Sequence, residues 1–160
     1  MSLDLNGILE SIVGQPCMRK EVGSMRSISL GFGDEAPESL QKRNPHYRLW
    51  ELGTYSGDWQ IVHDEAVLLF KDRSTNIAEL DGLLQSIDLG CFVALRQLSK
   101  TDLRLDLDNG LVVNFSGNPD VDDEYFHIFC PEVQYAEFSD AGWTIGHSNE
   151  PWTRKTVPSL

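Results

Sequence analysis

The motif Trp-x-Ile-x-His occurs twice, at Trp59–His63 and at Trp143–His147. Alternate residues of a β-strand point to the same side, so the tryptophan, isoleucine and histidine of each copy share one strand face. Two histidines could bind a metal ion if they met in space and a further ligand joined them. The spacing does not force such a meeting, and the chain has no His-Glu-x-x-His motif. We interpret both copies as structural strands, with a metal or small-ligand site, or an enzyme site, near His63 and His147 as the alternative.

The three cysteines, Cys17, Cys91 and Cys130, are the other potential nucleophiles. A catalytic cysteine needs a base or a helix N-terminus nearby to lower its thiol pKa. Cys91 is instead predicted to follow the end of a helix, and no Gly-x-Ser-x-Gly motif offers a serine nucleophile. The odd number and wide spacing disfavour a disulfide framework or a zinc site and suit a reducing cytoplasm. The sequence therefore predicts no catalytic residue, no metal and no cofactor, which favours a protein that is not an enzyme.

Acidic residues give the strongest compositional signal. The 160 residues include 13 Lys and Arg against 25 Asp and Glu, a formal net charge of −12. A field of this sign repels nucleic acid and anionic membranes, whereas it attracts basic proteins and speeds their encounter. No apolar run is long enough to span a bilayer, and the N-terminus lacks the pattern of a signal peptide. We therefore expect a cytoplasmic protein that binds neither nucleic acid nor membrane.

The segment 120–140 contains no lysine or arginine and predicts a recognition surface for a basic protein partner. Tyrosines lie among its acidic residues, and aromatic side chains often dominate the energetics of interfaces. A solvated loop is the alternative interpretation, and the spacing does not fit a calcium-binding EF-hand. The predicted surface comprises Asp120, Asp122, Asp123, Glu124, Tyr125, Glu132, Tyr135, Glu137 and Asp140.

The elements that carry these residues are similar in the two halves of the chain. Leu5–Ile12 (LNGILESI) matches Leu80–Ile87 (LDGLLQSI), 75 positions later. The same offset aligns Ser27–Asp34 with Asp102–Asn109, and the Trp-x-Ile-x-His motifs align at an offset of 84. Because these matches are colinear, they predict an internal duplication. The predicted divisions of one pseudo-symmetric unit are a first repeat (3–66), a connecting segment (67–77), a second repeat (78–149) and a C-terminal tail (150–160).

Each half is predicted to be a short helix followed by a β-meander, which gives an α+β fold with mostly antiparallel strands. Apolar residues in the two matching octapeptides recur at i, i+3, i+4 and i+7, the pattern of one helix face. Gly14 and Gly90 are placed to end the two helices. Gly7 and Gly82 lie inside the helices, where glycine is unfavourable, and this suggests close packing.

The segment LRLDLDNGLVVNF predicts a hairpin whose loop comprises Asp108, Asn109 and Gly110. A three-residue loop with a left-handed Gly110 places all six alternating apolar residues on one face, whereas a two-residue loop would not. Ala66–Phe70 (AVLLF) is an uninterrupted apolar run and predicts a buried strand that links the halves.

Several stretches together resemble uncharacterised small bacterial proteins. They are MRSISLGFGD, YRLWEL followed by GDWQIV, and LRLDLDNGLVVNFSG followed by DEYFHIFCPE. Many such proteins look like immunity or accessory proteins of contact-dependent toxin systems. The resemblance implies a non-enzymatic, protein-binding role in a bacterial cytoplasm and carries over no catalytic residue. We therefore expect an immunity-type or adaptor-type protein that engages a basic partner through the acidic surface of the second repeat, and its oligomeric state is left open.

Overall fold

The computed structural model describes residues 4–36, 47–147, 150–158 and 160. Within these ranges the chain forms an α+β fold with two α-helices and two antiparallel sheets that share one apolar core. The helices are α1 (Leu5–Ile12) and α2 (Ile77–Gln85), and neither has the length and apolar character required to cross a bilayer. The strands are β1 (Cys17–Val22), β2 (Ile28–Glu35), β3 (Arg48–Thr54), β4 (Asp58–His63), β5 (Ala66–Phe70), β6 (Phe92–Gln97), β7 (Asp102–Leu107), β8 (Leu111–Ser116), β9 (Phe126–Phe129), β10 (Gln134–Ser139), β11 (Gly142–His147) and β12 (Glu150–Val157).

Each half of the chain contributes strands to both sheets. The seven-stranded sheet has the order β1-β2-β3-β9-β10-β11-β12, and the five-stranded sheet has the order β5-β4-β8-β7-β6. After each helix, the chain therefore forms three strands in one sheet and then crosses to the other sheet. The meander predicted for each half is split in this way, and the pairings β3–β9 and β4–β8 join the two halves.

Both helices begin at a side-chain cap. The Asp4 carboxylate accepts a hydrogen bond from the Gly7 N–H at 2.7 Å, and the Asn76 side chain accepts one from the Glu79 N–H at 2.8 Å. Such caps satisfy backbone donors that the first turn of a helix leaves free. Helix α2 lies along the edge of β1, where the Asp81 carboxylate accepts from the Val22 N–H at 2.9 Å.

The helix glycines behave differently from one another. Gly14 follows the end of α1, as predicted, and has a φ of 83°, the left-handed conformation typical of a glycine after a helix. The equivalent prediction for Gly90 is wrong, because α2 already ends at Gln85 and Ser86 caps it. The close packing predicted at Gly82 is also wrong, since a Cβ atom added there would meet no atom within 4 Å.

The β7–β8 hairpin confirms the predicted three-residue loop. Gly110 has a φ of 83°, Leu105 lies opposite Val113, and Leu103 lies opposite Phe115. All six alternating apolar side chains are buried on the inner face of the five-stranded sheet. The spacing of apolar residues across a tight loop was therefore sufficient to fix the register.

Strand β5 confirms a strand at Ala66–Phe70, but the prediction that it is buried is wrong. The strand forms the outer edge of the five-stranded sheet, and a register shift at Leu68 breaks its pairing with β4. Leu69 is buried, whereas Val67, Leu68 and Phe70 are each about half exposed. An apolar run does not reveal whether its strand has neighbours on both sides, so the position at the edge was not predictable from composition.

Candidate functional site

One end of the sandwich gathers acidic residues from two separate segments. The loop between β8 and β9 carries Asp120, Asp122 and Asp123, and the turn between β10 and β11 carries Asp140. These four residues, called the acidic end below, neighbour Tyr125. Burial raises the pKa of the Tyr125 hydroxyl, and the charges of Asp140, Asp122 and Asp120 raise it further. Asp120, Asp123 and Asp140 are exposed. The structure therefore brings the predicted Asp140 to the three aspartates of the loop.

Internal hydrogen bonds fix the shape of the β8–β9 loop. The Asp122 carboxylate accepts from the Asn118 N–H at 2.8 Å, and the Asn118 side chain accepts from the Asp120 N–H at 3.0 Å. At the start of the loop the Gly117 N–H donates to the Thr101 carbonyl at 2.9 Å. A loop held in one shape loses less conformational entropy when a partner binds. Asp122 has a structural role in this loop, whereas Asp120 and Asp123 direct their charges to solvent.

Glu124 ends the loop in an internal pair rather than on the predicted surface. Its carboxylate lies 2.8 Å from His127 Nδ1, and both side chains are largely buried. The His127 ring packs between the rings of Tyr55 and Phe129, with centroid distances of 4.5 and 4.7 Å. The loop is thereby attached to the centre of the seven-stranded sheet.

The two tyrosines predicted as surface anchors are buried, so that part of the prediction is wrong. Tyr125 is 1% exposed, and its ring packs edge-on against Phe138 at a centroid distance of 5.6 Å. Tyr135 is also buried, opposite Phe129 in the seven-stranded sheet. Both residues lie where sheet packing covers their faces, which their positions in the sequence did not reveal.

The structure separates Glu132 and Glu137 from the acidic end. Glu132 lies in the connection between β9 and β10, whereas Asp140 follows β10. The six residues of β10 at about 3.3 Å each put roughly 20 Å between these two positions. Glu137 lies in the middle of β10, opposite His127, and is only partly exposed. The nine predicted residues therefore do not form one surface.

Two exposed apolar residues at the acidic end were missed by the sequence analysis. Val121 is 74% exposed between Asp120 and Asp122, and Tyr55 is 51% exposed in the turn between β3 and β4. The Tyr55 N–H approaches the Glu124 carboxylate at 3.4 Å, so this turn contacts the end of the β8–β9 loop. A single apolar residue among aspartates, and an aromatic residue in a polar turn, are the sequence signals that could have identified them.

His63 and His147 lie at the ends of β4 and β11, which belong to different sheets. The described residues contain no group of three or more side chains that could hold a metal ion. The neighbouring tryptophans also pack apart. The Trp59 indole donates to the Arg26 carbonyl at 2.9 Å, beside β2, whereas Trp143 lies on β11, four strands or about 19 Å from β2.

A shallow groove of about 690 Å³ opens on the outer side of the five-stranded sheet. Its lining includes neither His63 nor His147, so it is not the small-ligand site that was the alternative prediction for these histidines. Its floor is polar, with Gln60 directly opposite Asn114, and Phe70 and Leu98 flank it.

A buried ionic cluster occupies the outer face of the seven-stranded sheet. Glu51 is 2% exposed, and its carboxylate accepts hydrogen bonds from Arg19 Nη1 at 2.6 Å, Ser29 Oγ at 3.0 Å and the Arg48 N–H at 2.7 Å. Burial raises the pKa of Glu51, although the Arg48 N–H and the Arg19 charge lower it. Gly31 makes room for this carboxylate, because a Cβ there would lie 2.4 Å from Glu51 Oε2. Both carboxylate oxygens are satisfied, which indicates a structural role.

The cysteines lack the environment of a nucleophile. Burial raises the pKa of Cys17 and of Cys130 to about 12. The pKa of Cys91 is also raised, by desolvation and by the charge of Asp108. Thiols of this kind stay protonated near neutral pH and react slowly.

No protein-family model matches the chain, and no similar protein was found among curated sequences or among solved structures. The resemblance to immunity or accessory proteins stays a prediction.

Proposed function

We propose that the protein is a non-enzymatic binding protein that engages a basic protein partner through its acidic end. The observation that carries the proposal is that the segments with exposed Asp120 and Asp123 and with exposed Asp140 meet at one end of the sandwich, where the Tyr125 N–H donates to the Phe138 carbonyl. Grouped charges of one sign steer an oppositely charged partner and raise its association rate. The hydrogen-bonded β8–β9 loop presents two of these charges in a fixed arrangement.

Tyr55 and Val121 supply the apolar contacts of the proposed interface. Charge alone gives fast but weak association, and binding energy is usually concentrated in a few aromatic or apolar side chains surrounded by polar ones. Val121 is exposed between Asp120 and Asp122, and Tyr55 is exposed in the turn whose N–H approaches the Glu124 carboxylate. The matching partner surface would be basic at its rim and would offer apolar recesses at its centre.

An immunity-type or adaptor-type role in a bacterial cytoplasm agrees with this mode of binding. The sequence resemblance supports it, and the three cysteines, all of which are free thiols, suit a reducing compartment. An acidic protein of this type would neutralise a basic toxin domain by covering its surface.

We also infer that the two halves arose by duplication. In the β1–β2 pair the register shifts between Cys17 and Arg19, and in the β6–β7 pair it shifts between Phe92 and Ala94, 75 positions later. The Trp-x-Ile-x-His motifs do not support the inference equally. β4 pairs with β8, the third strand of the second half, and β9 pairs with β3, the third strand of the first half. The counterpart of β4 is therefore β9, whereas the second motif lies on β11.

The test is zero-length carbodiimide cross-linking in the cells that produce the protein, followed by mass spectrometry. This reagent joins carboxylates to lysines in direct contact. We expect at least one of Asp120, Asp123 and Asp140 to cross-link to a lysine of one basic protein, and the triple variant D120N/D123N/D140N to lose that partner. With the purified partner, the association rate should fall as salt is added, because screening weakens steering.

A matched control changes the same amount of charge elsewhere. Glu10, Asp34 and Glu35 are exposed and lie outside the acidic end, so E10Q/D34N/E35Q should keep the partner. Equal capture by both triple variants, with unchanged circular dichroism, would reject the proposal.

A further inference from the structure

Tyr125 carries a buried hydroxyl that has no hydrogen-bond partner in the described part of the chain. Its ring is fixed on two sides. The Gly117 backbone lies so close that a Cβ there would be 2.1 Å from Tyr125 Cδ1, and Phe138 packs on the ring from β10. The Tyr125 N–H also donates to the Phe138 carbonyl at 2.7 Å. The hydroxyl therefore cannot swing away to find a partner, and leaving it unpaired is unfavourable.

The charges that act on this hydroxyl are those of Asp120, Asp122 and Asp140. Asp120 and Asp122 belong to the loop that begins at Gly117, and Asp140 belongs to the turn that follows Phe138 and Ser139. Tyr125 is thus held between the two segments that carry the aspartates. Ionised carboxylates are acceptors only, and the phenol oxygen also has a free acceptor site. In the part of the chain that the structure describes, no donor reaches this oxygen.

We propose that an arginine side chain of the basic partner inserts between the β8–β9 loop and the β10–β11 turn and donates to Tyr125 Oη while pairing with Asp120 and Asp140. This inference rests on the proposed function and names the side chain that the acidic end recognises. A guanidinium has five N–H donors in a rigid plane, so it can serve two carboxylates and a phenol oxygen together, whereas a lysine ammonium is a compact point charge. The aspartates do not form a group that could hold a metal ion, which suits a broader cation.

The test measures calorimetric binding of a hexa-arginine amide and of a hexalysine amide to the full-length protein. Wild type should bind the arginine peptide more tightly. Tyr125→Phe should weaken binding of the arginine peptide about tenfold, the effect of losing one hydrogen bond to a charged donor. Asp140→Asn should weaken it similarly. The control is Tyr135→Phe, the same change near the other end of β10, which should leave the affinity at the wild-type value.

Thermal unfolding separates recognition from structure. Because Tyr125→Phe removes an unpaired buried hydroxyl, its melting temperature should equal or exceed that of wild type while its affinity falls. If Tyr125→Phe does not fold, two other measurements replace it: the affinity of Asp140→Asn for the arginine peptide, and the shift of the Phe138 amide resonance of wild type when the peptide is added. An unchanged affinity and an unchanged resonance would overturn the inference. If Tyr125→Phe keeps the wild-type affinity while D120N/D123N/D140N loses binding, the arginine subsite is rejected and the proposed function is retained. If both variants keep the wild-type affinity, the arginine subsite and the proposed function are both rejected.

Discussion

Pro16 pairs directly with Cys91 as an isolated antiparallel bridge where the segments that follow the two helices meet. Each member of the pair also accepts a hydrogen bond within its own half. The Gly33 N–H donates to the Pro16 carbonyl and the Asp108 N–H donates to the Cys91 carbonyl, both at 3.0 Å. Gly33 and Asp108 are again 75 positions apart. The halves therefore meet at two positions 75 residues apart, and each half pairs a strand with the other half in both sheets.

The pairings between the halves predict that fragments 1–75 and 76–160 do not fold separately. Each fragment would lack the partners of its central strands, since β3 pairs with β9 and β4 pairs with β8. Unpaired strand edges and an exposed core face favour the unfolded or aggregated chain. Circular dichroism should show little β structure in either fragment and a recovered β spectrum on mixing. A cooperative thermal transition in a single fragment would contradict this.

Two glycine substitutions should change stability in opposite directions. Gly110→Ala should lower the free energy of unfolding by about 1–2 kcal/mol, because residue 110 has a φ of 83° that alanine adopts poorly. Gly82→Ala should raise it by roughly 0.5–1 kcal/mol, because the position is helical and open. Urea unfolding of both variants tests the pair. Destabilisation by Gly82→Ala would mean that the α2 surface is covered.

Glu51 should make stability depend on pH in a characteristic direction. Burial raises its pKa above the ordinary 4.5, so the folded protein holds this proton more tightly than the unfolded chain does. The stabilisation from the neutral carboxyl is present below pH 4.5 and is lost as the pH rises through the folded pKa. Between pH 4.5 and neutrality, wild type should therefore lose more unfolding free energy than Glu51→Gln. Glu21→Gln, which removes an exposed carboxylate bonded to the same Arg19, should keep the wild-type slope because Glu51 remains.

His127 should control how well the β8–β9 loop is ordered. His127→Ala removes the ring between Tyr55 and Phe129 and the partner of Glu124, and we expect it to lower the free energy of unfolding by about 2–4 kcal/mol. Amide hydrogen exchange in residues 117–124 should become faster. His63→Ala is the control, because 44% of the His63 side chain is exposed and its loss should change stability by less than about 0.5 kcal/mol. Unchanged exchange in the loop of His127→Ala would show that other bonds hold it.

The sequence by itself determined the features that depend on near neighbours. The apolar period of Leu5–Ile12 specified a helix, and the spacing around Asp108–Gly110 specified a hairpin with its loop length and register. The excess of acidic over basic residues followed directly from the composition. These features are local, because a helix face or a hairpin register is set by residues within a few positions of each other.

The tertiary structure alone decided how the halves combine and which polar residues reach solvent. Tyr125 and Tyr135 lie in the acidic segment yet are buried, whereas Tyr55, from the other half, is exposed beside the acidic loop. Asp140 joins the loop aspartates because β9 and β10 place its turn at their end of the sandwich. Alternation along a strand shows which residues share a face, but whether that face is covered depends on pairings between distant segments. The strand pairings that form are those that bury the apolar core as a whole.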